Sequence, residues 1–273
     1  MAKINFDINP VNEINHVMHD SDSGSMSKLL DLCLRFGSLM NSVGSESART
    51  EDSIERILAA YGIDSPSAFC IPTIVIISFK DEDGNIYTSS RRMRSQSSNF
   101  TKLDELNSLS RYLCDGELKT LSIFESELDR IEEIEYNFNM NNLIGTLLVA
   151  FGFNFIFGGD LRNAIGAMLA AFLMALINNF LTNAQVNSTF NNLASSFFGN
   201  VFVELFAMIG LINNTGTASI SIIMGLVPGM LLTTSIREVF SKDYTSGLNK
   251  LVECLFIAIS LAVGAALAIV LLR

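Results

Sequence analysis

Residues 205–236 read LFAMIGLINNTGTASISIIMGLVPGMLLTTSI, and no side chain in this stretch carries a charge. A helix that crosses a bilayer needs about 20 mostly apolar residues. The run NNTG at 213–216 has the composition of a turn. The stretch therefore predicts that one membrane helix ends before this turn and that a second one follows it.

Three more stretches, 136–159, 163–203 and 254–272, also lack charged residues. The polar run TNAQVNSTFNN at 182–192 divides the second of them. The alternative, a very apolar soluble helical core, needs more polar surface to bury five such segments in water. The sequence thus predicts a membrane α-helical bundle of five transmembrane helices in residues 136–273, at about 140–158, 163–181, 193–212, 217–236 and 251–272.

The charge is divided unevenly along the chain. Only five of the 28 acidic and five of the 18 basic residues lie after position 140, so the first part carries 13 − 23 = −10 and the second 5 − 5 = 0. This pattern excludes a single soluble globular domain, a disordered acidic chain, and a nucleic-acid binder, which would need a basic face.

The amino-terminal sequence, a polar tail over residues 1–25, has no apolar run that could serve as a cleaved signal peptide. The acidic half should therefore stay in the cytoplasm, and five spans would place Arg273 on the far side. In this arrangement the loop with Arg237, Lys242 and Lys250 lies inside, in agreement with the positive-inside rule. The four cysteines show no CxxC spacing and suit a reducing compartment.

Residues 26–135 predict a cytoplasmic α+β domain with helices flanking a β-hairpin. Two amphipathic helical patterns come first, and Gly44 and Gly62 stand where such helices end. The apolar run FCIPTIVIISF at 69–79 and the strand-like residues 86–93 are joined through Asp83-Gly84, a hairpin turn. Two further helical patterns complete the order α-α-β-β-α-α.

A polar cluster, Ser45, Glu46, Arg49 and Glu51, lies at the start of the second helical pattern. A serine and two carboxylates there suggest a membrane-anchored hydrolase as an alternative function. Acidic residues in a first helical turn are also expected from the helix dipole alone. A third alternative is a structural or signalling membrane protein whose acidic domain is a docking platform.

The only histidines, His16 and His19, lie in the polar tail, far in sequence from this cluster. Their spacing would fit one face of a helix, but no cysteine or further histidine is nearby to complete a metal site. The sequence therefore predicts no catalytic residue, no metal and no cofactor.

Three stretches together resemble the bacterial threonine/serine exporter family, specifically its N-terminal half. They are GSESARTEDSIERI from Gly44, ending at Tyr61-Gly62; FIFGGD at 155–160; and GLVPGMLLTTSIRE from Gly225, continuing through Asp243 to Leu248. The resemblance covers nearly the whole chain after about residue 28. The chain departs from the family pattern at Thr234, where Asn is common, and at Lys242, where Gly is common.

The resemblance implies export of small hydroxy amino acids or dicarboxylates, driven by the proton gradient across a bacterial inner membrane. Single-chain members have a second membrane half that this chain lacks. The expected partner is therefore a second small membrane protein of the same family, with a homo-oligomer as the alternative. The other expected partners are the bilayer and a small polar organic acid, and no nucleic acid is expected.

Within this framework, Pro228 should break or kink the fourth span, because it removes a backbone donor and clashes with the preceding turn. In transporters such breaks commonly form the substrate site, with helix N-termini facing carboxylates. Alternatively, Gly225 and Gly229 form only a close packing face. The candidate substrate and ion pathway comprises Glu204, Pro228, Gly229, Asp160, Arg237 and Asn154.

Glu204 is the acidic residue that lies deepest in a predicted span. A lone charge there would cost on the order of 3 kcal/mol, so the carboxyl must be paired, hydrated or neutral. A group that gains and loses a proton there would suit a proton-coupled carrier. The alternative is that Glu204 lies near the headgroups, about a dozen residues past Asn192. The asparagines around 178–200 could bind a polar substrate, although a wet loop would explain most of them.

Overall fold

The computed structural model describes residues 23–93, 99–116, 118–134 and 140–272. These residues form two compact units. The first unit contains the described residues before 136 together with Glu238–Ser246, and the second contains the remainder. The segment Glu238–Ser246 thus groups with the first unit, although the sequence assigns it to the membrane part. The tail histidines lie outside the described residues.

The first unit begins with two helices, α1 (Ser23–Ser42) and α2 (Ser47–Ala60). Gly44, with φ of +100°, follows the end of α1. At the end of α2, Gly62 has φ of +84°, and the N–H of Ile63 donates to the Leu58 carbonyl at 3.1 Å. This is the glycine-terminated ending that the sequence predicted, because a residue without Cβ adopts the left-handed conformation at little cost.

The sheet has three antiparallel strands in the order β1 (Ser67–Ile71), β2 (Ile74–Lys80) and β3 (Ile86–Arg92). The predicted hairpin through Asp83-Gly84 is present as β2 and β3, but the prediction of two strands was wrong, because the apolar run forms two strands and the sheet has three. The apolar run 69–79 contains a first turn at Pro72-Thr73, and Ile71 pairs with Ile74 directly across it. Proline cannot donate to a strand ladder, so the run divides there into two strands.

Helices α3 (Phe100–Leu113) and α4 (Leu121–Glu132) complete this unit. The core brings together α1, α2, the inner face of the sheet and the apolar faces of α3 and α4. Arg35 on α1 forms an ion pair with Glu132 on α4 at 3.0 Å. The largest fully buried side chains of this core are Phe36, Phe124, Leu32, Met40, Ile54, Ile57, Leu58, Ile77, Leu106, Leu113, Leu128 and Ile131.

The second unit is helical in its described residues. Helix α5 spans Met140–Ile156, α6 spans Leu161–Asn183 and α7 spans Ser188–Met208. The stretch predicted as the fourth span forms two helices, α8 (Thr215–Ile223) and α9 (Gly229–Phe240), and α9 ends within the first unit's segment. The last helix, α10 (Tyr244–Leu272), begins several residues before the predicted span.

Small and polar side chains fill the interior of the second unit, and large apolar side chains cover its surface. Buried alanines of α5, α6 and α8 pack with Met174, Val203 and Ile222. Large apolar residues such as Ile156, Phe180 and Ile209 are more than 70% exposed. This distribution is the reverse of that in a water-soluble domain.

Two of the described helices, α6 and α10, are long and apolar enough to cross a membrane. Helix α5 is shorter, at 17 residues, and also apolar. Helix α7 has 21 residues but contains Glu204 and a series of asparagines and serines. The structure is thus mostly helical, with one small sheet and two candidate membrane helices among the described residues.

Candidate functional site

The chain between α8 and α9 has no helical hydrogen bonding across Pro228. The N–H of Leu226 donates to the Ile223 carbonyl at 2.8 Å, and the N–H of Gly229 donates to the Val227 carbonyl at 2.8 Å. The Pro228 carbonyl then accepts from Leu232 at 3.0 Å, which begins the α9 ladder. The helix is therefore interrupted where the sequence predicted a break or kink, because proline supplies no N–H.

The two glycines beside this break do not form a close packing face in the second unit. A Cβ atom built on Gly229 meets no described atom within 4 Å. A Cβ built on Gly225 would lie at ordinary van der Waals distance from the Ile222 carbonyl oxygen, at 3.7 Å, and from Val149 of α5, at 3.8 Å. These contacts give no support to the alternative that Gly225 and Gly229 are only packing residues.

Asn154 and Asp160, two of the candidate residues, lie together at the turn between α5 and α6. The side-chain amide of Asn154 donates to the Asp160 carbonyl at 3.0 Å. The Asp160 carboxylate accepts from the N–H of Asn163 at 2.7 Å and so caps α6. Gly159 lies directly against the Asn154 side chain, where a Cβ would clash.

Asn163 extends this cluster to the turn between α7 and α8. Its amide donates to the side-chain oxygen of Asn154 at 2.7 Å, and its own oxygen accepts from the N–H of Asn214 at 3.1 Å. Both asparagine side chains are almost fully buried. The network satisfies the polar groups of two turns, so it stabilises this end of the helix bundle. Sequence reasoning did not identify Asn163 or Asn214.

Glu204 lies on a buried polar face of α7, four residues before the end of that helix. Ser196, Asn200 and Glu204 follow one another at intervals of four, which places them on one side of the helix. They are 0%, 0% and 5% exposed. The hydroxyl of Ser196 donates to the Leu261 carbonyl of α10 at 2.7 Å.

Asn200 is a buried helix residue and is therefore one of the asparagines that a wet loop does not explain. Its amide donates to the Ser196 carbonyl at 2.8 Å. Its side-chain oxygen, and the buried hydroxyl of Ser219 on α8, make no hydrogen bond within the part of the chain that the structure describes. Buried polar atoms usually have partners, so this amide oxygen and this hydroxyl mark a polar region inside the α7–α8 pair.

The candidate residues at the start of α2 have local structural partners. The Ser45 hydroxyl, only 2% exposed, donates to the Glu46 carbonyl at 3.3 Å. The Glu51 carboxylate accepts from the N–H of Cys70 at 2.7 Å and so links α2 to β1. Arg49 is exposed on α2. These bonds assign structural contacts to Ser45 and Glu51.

Several acidic residues surround the Glu51 carboxyl. Burial raises its pKa above the ordinary value, and the N–H of Cys70 opposes this by lowering it. The carboxylates of Asp243, Glu55 and Glu238 raise the pKa further. Glu51 is thus an acidic side chain whose charged form is disfavoured by the folded first unit.

Glu238 and Arg237, at the end of α9, have different surroundings. Glu238 is 2% exposed, and its carboxylate accepts from the backbone N–H of Ser47 at 2.9 Å. Ser47 is the first residue of α2, so this carboxylate lies at a helix N-terminus. The Arg237 side chain is exposed. The carboxylate of Glu238 is therefore held within the first unit, at the start of α2.

Comparison with known proteins supports a transport function. A family model described as "Putative threonine/serine exporter" matches residues 31–272. The chain is 22% identical over 240 residues to the probable succinate transporter subunit YjjP of Escherichia coli strain K12, an alignment that covers 87% of this chain and 92% of that protein. No solved structure matches.

Proposed function

The chain belongs to the threonine/serine exporter family, and we propose that it is one subunit of a secondary transporter in a bacterial inner membrane. Its proposed substrates are threonine- or serine-like amino acids or small dicarboxylates. The family match over residues 31–272 is the observation that carries the proposal, because it spans both units of the chain.

The arrangement of side chains in the second unit supports a location in lipid. Lipid chains solvate exposed apolar side chains, whereas helices associate in a membrane through small residues and hydrogen bonds. The alanines, Asn154, Asn163 and Ser196 of this unit are buried, and its large apolar residues face outward. In water, an apolar surface of this extent would cause the protein to aggregate.

We propose that the second unit crosses the membrane five times. At 1.5 Å per residue, α6 and α7 are about 35 Å and 32 Å long, and α10 exceeds 40 Å, against a hydrocarbon core of about 30 Å. The shorter α5 and the interrupted pair α8–α9 complete the five. The N-terminal unit is cytoplasmic and the C-terminus is outside in this proposal.

The proposed substrate site lies at the interruption next to Pro228 and Gly229. Helix α9 begins there, and its first N–H groups are the positive end of a helix dipole. A carboxylate is common to threonine, serine and succinate, so a helix N-terminus suits each of them. Broken backbone at membrane depth must line protein or water, which favours a cavity at this point.

Glu204 is the proposed proton-binding residue. Its carboxyl is shielded from the outside of the unit and lies on the same helix face as Asn200 and Ser196. A neutral carboxyl can donate a hydrogen bond to an amide oxygen such as that of Asn200, whereas an ionised carboxylate cannot. Gain and loss of one proton would therefore change the bonding inside the α7–α8 pair.

The proposed partner is a second small membrane protein of the same family. The curated relative from Escherichia coli is named a transporter subunit, which supports an assembly of more than one chain. A five-helix unit seldom encloses a pathway alone, and pairing with an inverted five-helix half would follow a known transporter symmetry. A homo-oligomer is the alternative.

The test is transport by cells that lack their own transporters for these substrates. The chain is expressed alone and together with its small membrane partner, and movement of labelled threonine, serine and succinate is measured under an imposed pH gradient. We expect gradient-dependent transport of at least one substrate. Good membrane expression of both chains without transport of any of the three would overturn the proposal.

A further inference from the structure

We propose that the N-terminal unit is a clamp on the segment Glu238–Ser246, and that Glu238 is a positioning residue for the broken helix. This inference rests on the proposed transport function only where it predicts a rate. The clamp itself follows from contacts within the first unit, to which this segment belongs.

The first contact binds the end of α9. The buried carboxylate of Glu238 accepts from the N–H of Ser47 at 2.9 Å, and Ser47 is 0% exposed. Ser47 is the first residue of α2, where backbone N–H groups have no partner within the helix. A carboxylate at this position gains both a charge-assisted hydrogen bond and the favourable field of the helix.

The second contact binds the start of α10. The Ser246 hydroxyl, fully buried, donates to the Cys70 carbonyl of β1 at 3.3 Å. Between the two contacts the segment is internally bonded. The N–H of Asp243 donates to the Glu238 carbonyl at 3.0 Å, and the Asp243 carboxylate accepts from the N–H of Ser246 at 3.2 Å.

The first of these contacts holds one end of α9. Glu238 lies near the end of α9, and α9 begins at Gly229, next to the interruption. Helix α9 is continuous over 12 residues, about 18 Å, so one hydrogen-bonded element joins its end to its beginning. Fixing its end therefore restricts the position of its beginning, where the proposed substrate site lies. The two stretches that meet, from Gly44 and through Glu238, are also two of the three that carry the family resemblance.

The clamp is tested by hydrogen–deuterium exchange on the purified full chain in detergent. Glu238→Ala removes the acceptor, and Ser47→Pro removes the donor at a helix position that tolerates proline. Glu46 before it already has the extended backbone that proline requires, with ψ of 141°. Glu238→Gln keeps an acceptor oxygen, and Glu82→Gln on the exposed turn after β2 is the matched charge control.

We expect Glu238→Ala and Ser47→Pro each to accelerate exchange of residues 238–246 at least tenfold, with α6 unchanged. The double variant should do no more than either single variant, because both remove the same bond. The exchange rate of residues 238–246 in Glu238→Gln should stay within threefold of the wild-type rate, and the rate in Glu82→Gln should equal the wild-type rate. Unchanged exchange in both single variants, or effects that add in the double variant, would overturn the clamp.

The positioning role has a separate readout. In the transport assay, Glu238→Ala should lower the maximal rate at least fivefold with little change in KM, and Glu238→Gln should restore most of it. If Glu238→Ala accelerates hydrogen exchange but transports substrate at the wild-type maximal rate, the positioning role is refuted. If the exchange results hold while the wild-type protein moves none of the substrates, the clamp stands and the proposed transport function fails.

Discussion

Lys242 shows how a single residue can be held in an unfavourable conformation. Its φ is +69°, in the left-handed region that costs a residue with a Cβ roughly 1 kcal/mol or more. Its N–H donates to the Val239 carbonyl at 3.1 Å, so the conformation closes the end of α9. The sequence resemblance placed glycine at this position, and the backbone gives the physical reason.

We predict that Lys242→Gly raises the free energy of unfolding of the first unit by about 1 kcal/mol, because glycine adopts this φ freely. Thermal and denaturant unfolding of the full chain in detergent measures the change. Lys242→Ala is the control, since alanine also has a Cβ and should give no comparable gain. Equal stabilisation by both variants would show that the lysine side chain, and not the backbone, is responsible.

Glu51 gives a prediction for pH dependence. Burial and the carboxylates of Asp243, Glu55 and Glu238 raise its pKa in the folded state. A raised pKa means that the stabilising contribution of Glu51 is fully present below the unfolded value, near 4.5, and is lost as pH rises through the raised folded value. Glu51→Gln keeps an acceptor for the N–H of Cys70 and removes the charge.

We therefore expect Glu51→Gln to be more stable than the wild type at pH 7.5, with the difference shrinking as pH falls toward 4.5. The measurement is the melting temperature of the first unit at several pH values. Glu82→Gln, on an exposed turn, is the control and should show no such trend. A difference that grows on acidification would contradict the sign of the shift.

At the residue scale, the sequence predicted the positions that depend on local chemistry. Gly62 and Pro228 act within a few residues of themselves, and the structure shows the helix end and the interruption where they were expected. The bond from Ser47 to Glu238 was not predictable, because it joins residues 191 positions apart. The predicted helix over 193–212 contains Asn200, but the sequence analysis did not connect it with Glu204, although a spacing of four residues is a signal for one helix face.

At Gly264 of α10 the backbone of α7 lies in close contact. A Cβ built on Gly264 would clash with the Leu193 carbonyl and would lie 3.0 Å from the backbone nitrogen of Phe197. The hydrogen bond from Ser196 to the Leu261 carbonyl, at 2.7 Å, lies at the same crossing. Backbone atoms cannot move aside as a flexible side chain can, so this contact requires glycine.

We predict that Gly264→Ala destabilises the second unit by about 1–3 kcal/mol through overpacking. Gly145→Ala is the matched control, because Gly145 lies inside α5 and an added Cβ there meets no described atom within 4 Å. That control should be neutral or slightly stabilising, since alanine favours helix. Thermal unfolding in detergent measures both, and an equal effect of the two substitutions would argue against the close crossing.

At the element scale, hydrophobic periodicity and charge-free stretches predicted the helices, because both report on one element at a time. The division of the apolar run into β1 and β2 was missed because a continuous apolar run gives no sign of its internal turn except Pro72. That proline was the available signal, since it demotes a strand or divides it. The early start of α10 at Tyr244 was missed because its first residues are polar, and a helix can extend beyond its apolar residues.

For the whole molecule, the sequence predicted an acidic part followed by an apolar helical part, because charge and hydropathy are additive along the chain. It did not predict that Glu238–Ser246 would group with the first unit. That grouping depends on bonds from this segment to Ser47 and Cys70, which no local pattern records. The five-span topology remains a prediction, supported by the family match and the apolar surface of the second unit.

The last prediction concerns coupling in the assembled transporter. If Glu204 carries the coupled proton, Glu204→Gln should abolish acceleration by a pH gradient, because glutamine cannot release a proton at neutral pH. Exchange of labelled for unlabelled substrate without a gradient should persist, since the proposed substrate site is at Pro228 and Gly229 and not at Glu204. Both are measured in membrane vesicles that contain the complete transporter. Glu253→Gln, an exposed acid on α10, is the matched control and should retain both activities. Gradient-driven transport that survives in Glu204→Gln at the wild-type rate would remove Glu204 from the proton pathway.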